Sequence, residues 1–342
     1  MALGRSRNVV DVNAPTIRAG IELADPVLAA RVAGGLARVE AVLEREMASE
    51  FDFVTEAASH LMHAGGKRFR PLFTLVAAGI GPNPDAEDVV TAAAVVELIH
   101  LATLYHDDVM DEADLRRGTK SANARWDNSI AILTGDFLFA HASRLVADLG
   151  PEAVRIIADT FAELVTGQTR ETVGPPVGAD PIAHHLTVLD EKTAALIDTC
   201  ARYAGMFSGA SKAETSALRR FGRAVGVAFQ ISDDIIDVAS QESGKTPGTD
   251  LREGVPTLPV FYTLADTSSD ARLVELVSGP IESEDELAEA MALLQSSAGL
   301  AQARTTLESY AATALAELGT LRPSTAREAL VSLTHFVVAR TR

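Results

Sequence analysis

Apolar positions recur three and four apart along almost the whole chain, the spacing of helices that bury one face. Alanine and leucine dominate these stretches, and no convincing alternation of apolar and polar residues marks a strand. The pattern predicts helices over 26–50, 86–112, 128–149, 151–169, 186–209, 213–239, 257–266, 284–295, 299–318 and 323–340. Glycine and proline mark the breaks: GGKRFRP from Gly65, GPNPD from Gly81, GPPVGADP from Gly174, SGKTPGTDLREGVP from Ser243 and SGP from Ser278. Helices joined by such loops predict an all-α bundle. No fixed-period repeat and no dividing linker is visible. Residues 21–342 are therefore expected to form one helical domain, preceded by a loose segment over 1–20.

The longest apolar run, VVTAAAVVELIHLATLY over 89–105, is short for a bilayer span, contains Glu97 and His100, and runs into two aspartates. It reads as a buried core helix, without stable membrane insertion. With 342 residues, 47% of them hydrophobic, the chain can bury a large core. A formal net charge of -17 leaves no general basic surface for nucleic acid or an anionic membrane. Cys200 is the only cysteine, so no internal disulfide can form and a reducing compartment is expected. The start, MALGRSRNVVDVNAP, lacks the apolar core of an export signal, so a cytoplasmic location is expected.

Charge becomes informative in two places. HDDVMDEADLRRG, from His106, places Asp107, Asp108 and Asp111 at i, i+1 and i+4. At ~100° per residue, all three can face one cavity from a single helix. Asp233, Asp234 and Asp237 repeat that spacing. Both clusters end long apolar runs, against the helix dipole, where a merely decorative carboxylate is disfavoured. Six acids facing one cleft would repel and be driven toward protonation unless cations intervene. With all-oxygen donors and no His or Cys cluster beside them, the cation of choice is Mg²⁺, which completes its shell with water and substrate phosphates. The complementary charges are at hand. GGKRFRP carries Lys67, Arg68 and Arg70 on a glycine-entered turn, and Arg116 and Arg117 follow the first acid cluster. Such groups suit phosphate oxygens. No P-loop or dinucleotide-binding glycine pattern is present.

These four stretches, GGKRFRP, HDDVMDEADLRRG, FQISDDIIDV and GKTPGTDLREG, occur in the order found in the trans-isoprenyl diphosphate synthases, and the chain resembles that family from about residue 30 to its end. The resemblance implies an isoprenoid synthase-like helical bundle around a central cavity. It also implies a homodimer and a prenyltransferase that joins isopentenyl diphosphate to an allylic diphosphate, with three Mg²⁺ when diphosphate is bound. Carried over residue by residue, Asp107, Asp108, Asp111 and Asp233 are expected to hold metal, with Asp234 and Asp237 as outer or water-mediated ligands. Arg116, Lys192 and Lys245 are expected to clamp the allylic diphosphate. Lys67, Arg70, His100 and Arg117 are expected to hold isopentenyl diphosphate, and Thr193 and Gln230 to line the reacting carbons. The bond-making needs no side-chain nucleophile.

A growing tail should run back along the helix before Asp107, past Thr103 and Ala102 one turn deeper at ~1.5 Å per residue. Leu98 and Val95 lie beyond. None of the four is a large plug, so a medium- or long-chain all-trans product is expected, for a quinone side chain or a lipid carrier. The floor falls to other helices, with Phe137 or Phe139 as candidates. Gln168 is a secondary candidate for the cavity, and Met110, Trp126 and Cys200 are expected to pack. Arg340 and Arg342 are expected to fray; the alternative is that they fold back over the site, as a basic tail does in some members of the family that the chain resembles. A short-chain (geranylgeranyl or farnesyl) synthase is the alternative product class. A terpene cyclase would carry an Asn/Asp, Ser/Thr, Glu triad that residues 233–242 do not fit. A non-catalytic partner subunit would lose acid motifs, and this chain keeps both.

Overall fold

The computed structural model describes residues 23–239 and 248–341. The expected loose segment at 1–20, Lys245 and Arg342 lie outside those residues. Among the described residues the chain is all-α apart from one short hairpin. The first third runs α1 (Pro26–Met47), α2 (Asp52–His63), α3 (Phe69–Ala78) and α4 (Glu87–Met110), then a hairpin of β1 (Leu115–Arg116) and β2 (Thr119–Lys120). Next come α5 (Ala122–Arg125), α6 (Asn128–Asp148), α7 (Pro151–Val173), α8 (Pro181–Leu189), a π-helical turn (Asp190–Ala194) and α9 (Ala195–Phe207). The last part holds α10 (Lys212–Ala239), α11 (Thr249–Glu253), α12 (Leu258–Ala265), α13 (Ala271–Leu276), α14 (Glu284–Gln295), α15 (Ala298–Gly319) and α16 (Thr325–Ala339).

Start signals sit where elementary chemistry places them. Asp25 accepts the Leu28 amide at 2.6 Å and Pro26 opens α1; Asp180 and Pro181 do the same for α8. The bundle is organised on α4, which packs against α6, α3, α9 and α1, and on α10, which packs against α9 and α15. Both α4 and α6 are long and apolar enough to cross a membrane by length and composition alone. In the bundle, 72% of the most apolar window of α4 is buried, against 39% for α6. Tyr105 fastens α4 to α2: its hydroxyl donates to the Ala57 carbonyl at 2.6 Å and accepts the Leu61 amide at 3.2 Å. A second, smaller apolar cluster joins the end of α10 to α11–α14 through Val238, Leu251, Val260, Leu273 and Leu287.

The expected helices are present, and several were not anticipated. In α3, every residue from Pro71 to Ala78 is buried, so it has no polar face to reveal a period. The segment expected as one helix over 186–209 is instead α8 and α9 joined through the π turn. Such turns recur at functional sites because they re-aim the side chains they carry.

Candidate active site

The first acid motif ends α4. Asp108 points inward and is fully buried; Arg116 Nε donates to its Oδ1 at 2.5 Å, and a second guanidinium nitrogen lies 3.8 Å from Asp111. Arg116 can reach back because the hairpin reverses the chain at once. Arg117 (φ 54°) and Gly118 (φ 76°) occupy its two central positions, the left-handed pair that a two-residue hairpin requires. Burial pushes the Asp107 carboxyl up to about 6; Asp111 and Glu171 add to this, and Lys192 and Arg116 oppose it. Burial also raises Asp108 above the usual carboxylate range, against the pull of Arg116.

A cationic cluster lies beside this motif. Gly65 (φ 111°) and Gly66 (φ 143°) turn the chain between α2 and α3. Arg70 Nε is buried with no hydrogen-bond partner among the described residues. Arg117 donates to the Leu61 carbonyl at 2.7 Å and also to that of Gly65. Glu97, 2% exposed, sits among Arg68, Arg70 and Arg117; burial raises its carboxyl and the three guanidiniums oppose that rise. Burial, reinforced by Arg70 and Arg117, drives His100 well below its ordinary value, so it is neutral at pH 7 and can donate one N–H. Arg68 is spent on the fold: it donates to Glu40 at 2.8 Å and to the Met62 carbonyl at 3.1 Å. Lys67 is exposed on the same turn.

The opposite wall comes from α7, the π turn and α10. Gly167 of α7 approaches the turn so closely that a Cβ there would sit 2.6 Å from the Lys192 backbone nitrogen. Arg170 grips Glu191 through two hydrogen bonds of 2.8 and 3.1 Å. Arg223 of α10 bonds both Asp190 and Glu163, at 2.5 Å each. The turn held between them presents Lys192, which pairs with Glu171, and Thr193, whose hydroxyl donates to Gln230 Oε1 at 3.3 Å.

The second motif has a different character. Asp233 forms an ion pair of 2.9 Å with Arg340. Asp234 Oδ2 lies 2.9 Å from His185 Nε2 and accepts the Leu258 amide at 3.2 Å, tying α10 to α8 and α12. Asp237 Oδ2 accepts the Asp250 amide at 3.3 Å.

A cavity of about 670 Å³ opens from these groups. Arg70, His100, Asp107, Lys192 and Thr193 line its polar end, and Leu104, Val109, Phe161, Leu164, Val165 and Leu196 form apolar walls. Among the described residues, no three imidazole, thiolate or carboxylate groups converge on one point. The site still suits a divalent cation completed by phosphate and water. Its donors are all oxygen, Asp108 Oδ2 is buried with no hydrogen-bond partner among the described residues, and Asp107 is held above its ordinary pKa.

The polyprenyl synthetase family model matches residues 52–294. The chain belongs to the polyprenyl synthetase family. It is 54% identical to a nonaprenyl diphosphate synthase of Mycobacterium tuberculosis over 95% of this chain and 98% of that one. A geranylgeranyl pyrophosphate synthase from Corynebacterium glutamicum, in complex with calcium and isoprenyl diphosphate, shares 48% identity and a TM-score of 0.85 over 94% of this chain and 99% of that one. A decaprenyl diphosphate synthase from Rhodobacter capsulatus shares 36% identity and a TM-score of 0.82, over 92% of this chain and 99% of that one. The family makes this chain a prenyltransferase with the all-α isoprenoid synthase fold.

Within this polyprenyl synthetase fold, the expected site residues fall into three groups. Arg70, His100, Asp107, Lys192 and Thr193 meet at the cavity; Gln230 joins through Thr193, and Asp108, Asp111, Arg116 and Arg117 stand directly beside it. Asp233, Asp234 and Asp237 are engaged by protein partners. Of the chain-length positions, Thr103 lines the cavity, whereas Ala102 and Leu98 are buried in the hydrophobic core and are not among its lining. Phe161 supplies the aromatic wall; Phe139 stands 4.5 Å behind its ring, and Phe137 packs on His141. Met110 is 52% exposed at the cavity rather than core-facing, and Gln168 lines the cavity with a buried, unpartnered Oε1 among the described residues. Arg340 is docked rather than frayed. His185, Glu171 and Phe161 were missed, because each acts through an i-to-distant-j contact that no local pattern encodes.

Proposed function

We propose that this chain is an Mg²⁺-dependent all-trans-polyprenyl diphosphate synthase that extends an allylic diphosphate with isopentenyl diphosphate to a medium- or long-chain product. The observation that carries the reading is the 670 Å³ cavity, which has charged phosphate-binding groups at one end and apolar walls beyond. Mg²⁺ held by Asp107, Asp111 and Asp233 would neutralise the departing diphosphate. Arg116 and Lys192 orient that diphosphate, which requires Lys192 to exchange Glu171 for phosphate oxygens. Lys67, Arg70, Arg117 and neutral His100 bind the second diphosphate and set its double bond against the allylic carbon. The Thr193 and Gln230 oxygens face the positive charge that develops as the C–O bond breaks. The new C–C bond forms as the isopentenyl double bond supplies its electron pair, and the resulting cation loses a proton to the released diphosphate.

A homodimer is supported by exposed apolar side chains on two neighbouring helices, Leu133 of α6 (62% exposed) and Val154 of α7. The lone, buried Cys200 thiol accords with a cytoplasmic location. A shorter product is the second reading. It is favoured by the Phe161–Phe139 aromatic pair at the cavity wall and by the 48% identity to a geranylgeranyl pyrophosphate synthase. Incubation with labelled isopentenyl diphosphate, Mg²⁺ and primers of graded length, followed by sizing of the dephosphorylated products, decides. Products longer than C20 support the first reading, products of C15–C20 the second, and no consumption of isopentenyl diphosphate refutes both.

A further inference from the structure

The residue that caps α16 makes a contact that the reaction scheme above leaves unused. Arg340 lies across the start of the second acid motif. Its Nη2 is 2.9 Å from Asp233 Oδ1 and donates to the Phe229 carbonyl at 2.8 Å; its Nε donates to Ser232 Oγ at 2.6 Å. The guanidinium also stacks over the Phe229 ring, 4.2 Å from its centroid. That ring stacks in turn on Phe69, at 5.1 Å and 26°, beside the cationic turn between α2 and α3. The side chain is only 16% exposed. Neighbouring contacts secure the same turn: Ser232 Oγ donates to the Val337 carbonyl at 3.0 Å, and Arg304 donates to the Thr341 carbonyl at 3.2 Å.

A cation near a helix C-terminus is favourable by itself, at about 0.3–1 kcal/mol. That accounts for a basic residue at this place. It does not account for a guanidinium desolvated by stacking and held by three acceptors, one of them the leading carboxylate of the motif. Ligating carboxylates are themselves oriented by hydrogen bonds from neighbouring groups, and loss of such a group commonly costs 10–100-fold in metal affinity. A planar, multi-donor guanidinium is the side chain that can fix a carboxylate's rotamer. We propose that Arg340 is a positioning residue: its guanidinium fixes the Asp233 carboxylate for the divalent metal. The proposal rests on the metal-dependent reading of the site.

The test is calorimetric titration of Mg²⁺ into the full chain in the presence of inorganic diphosphate, so the readout is binding rather than turnover. Arg340→Ala is expected to weaken Mg²⁺ binding about 10–100-fold, with Arg340→Lys recovering part of the loss. In an Asp233→Asn background, Arg340→Ala should change the Mg²⁺ affinity no further, because the two act as one unit. Arg304→Gln loosens the same terminus without touching Asp233, and it should leave the affinity within about twofold. Unchanged or tighter Mg²⁺ binding in Arg340→Ala overturns the proposal, as does an equal loss in Arg304→Gln. Absence of Mg²⁺ binding by the wild-type protein overturns the metal-dependent reading itself, a result distinct from normal binding in both wild type and Arg340→Ala.

Discussion

Replacing Gly167 by alanine probes how tightly the π turn must be held for Lys192 and Thr193 to work. The new Cβ would meet the Lys192 backbone nitrogen at 2.6 Å, Glu191 Cβ at 2.8 Å and the Glu191 carbonyl carbon at 3.0 Å, whereas ordinary contact begins near 3.4 Å. Two of the three are backbone atoms and cannot rotate aside, so the turn and α7 must part by roughly 0.8 Å. The turn cannot simply drift outward, because Arg170 ties Glu191 to α7 and Arg223 ties Asp190 to α10. Overpacking of this kind costs about 1–3 kcal/mol of stability. A displacement approaching 1 Å at a reacting centre can cost about 10²-fold in rate, so a fall in kcat of about 10- to 100-fold is expected. The loss should fall on use of the allylic primer, since Lys192 clamps that substrate, and the KM for isopentenyl diphosphate should move little. Steady-state kinetics with each substrate varied, alongside thermal unfolding, checks both parts. Turnover within twofold of wild type, or a loss confined to isopentenyl diphosphate, would refute the argument that the π turn is a positioning device.

Thr103→Phe places a ring in the cavity and should shorten the product, read by chromatographic sizing. Ala102→Phe inserts its ring into a core position that is 1% exposed, and should instead lower stability by about 1–3 kcal/mol with product length little changed. Burial holds the Asp107 carboxyl at about 6 rather than 3.8, so in the metal-free protein its charged form is a penalty. That penalty is absent below about pH 4, grows as pH rises toward 6 and is full above it. Asp107→Asn should therefore gain stability across that window, reaching about 3 kcal/mol at pH 7 at ~1.36 kcal/mol per pH unit. Metal-free denaturant unfolding at pH 4, 5, 6 and 7 tests this, and a gain independent of pH would contradict it. Catalysis should move the other way: Asp107→Asn is expected to lose several orders of magnitude in turnover with Mg²⁺ present.

The long helices and both acid motifs were legible because each is a local pattern: a repeat of apolar positions, or three carboxylates at i, i+1 and i+4. The same locality explains what was hidden. No periodic signal marks α3, because Pro71 through Ala78 are buried on every side. The π turn differs from a straight helix by one inserted residue's worth of winding, and only the packing of Gly167 and Arg223 around it makes it visible. Arg68 and Arg70 are two residues apart in one motif, yet Arg68 is spent on Glu40 and the Met62 carbonyl while Arg70 faces the cavity. Sequence spacing put Ala102 beside Thr103 on the tail's path, but adjacent helical residues lie ~100° apart, and only Thr103 turns toward the cavity. Fraying of Arg340 was expected over a fold-back onto the site, because its partners lie 107 and more positions earlier in the chain.

The middle aspartate of each motif is the buried one of its three. Asp108 is moored to the hairpin through Arg116, and Asp234 to α8 and α12 through His185 and the Leu258 amide. The two motifs are thus less a pair of identical ligand sets than two quays, each with its buried carboxylate made fast to another element of the fold. A sequence that kept the outer aspartates and lost the middle one would still spell most of a metal motif, but the hairpin, α8 and α12 would lose these buried ties. Counting aspartates in such motifs therefore sums two different quantities, and the middle position measures how firmly the hairpin, α8 and α12 are held to the chemistry.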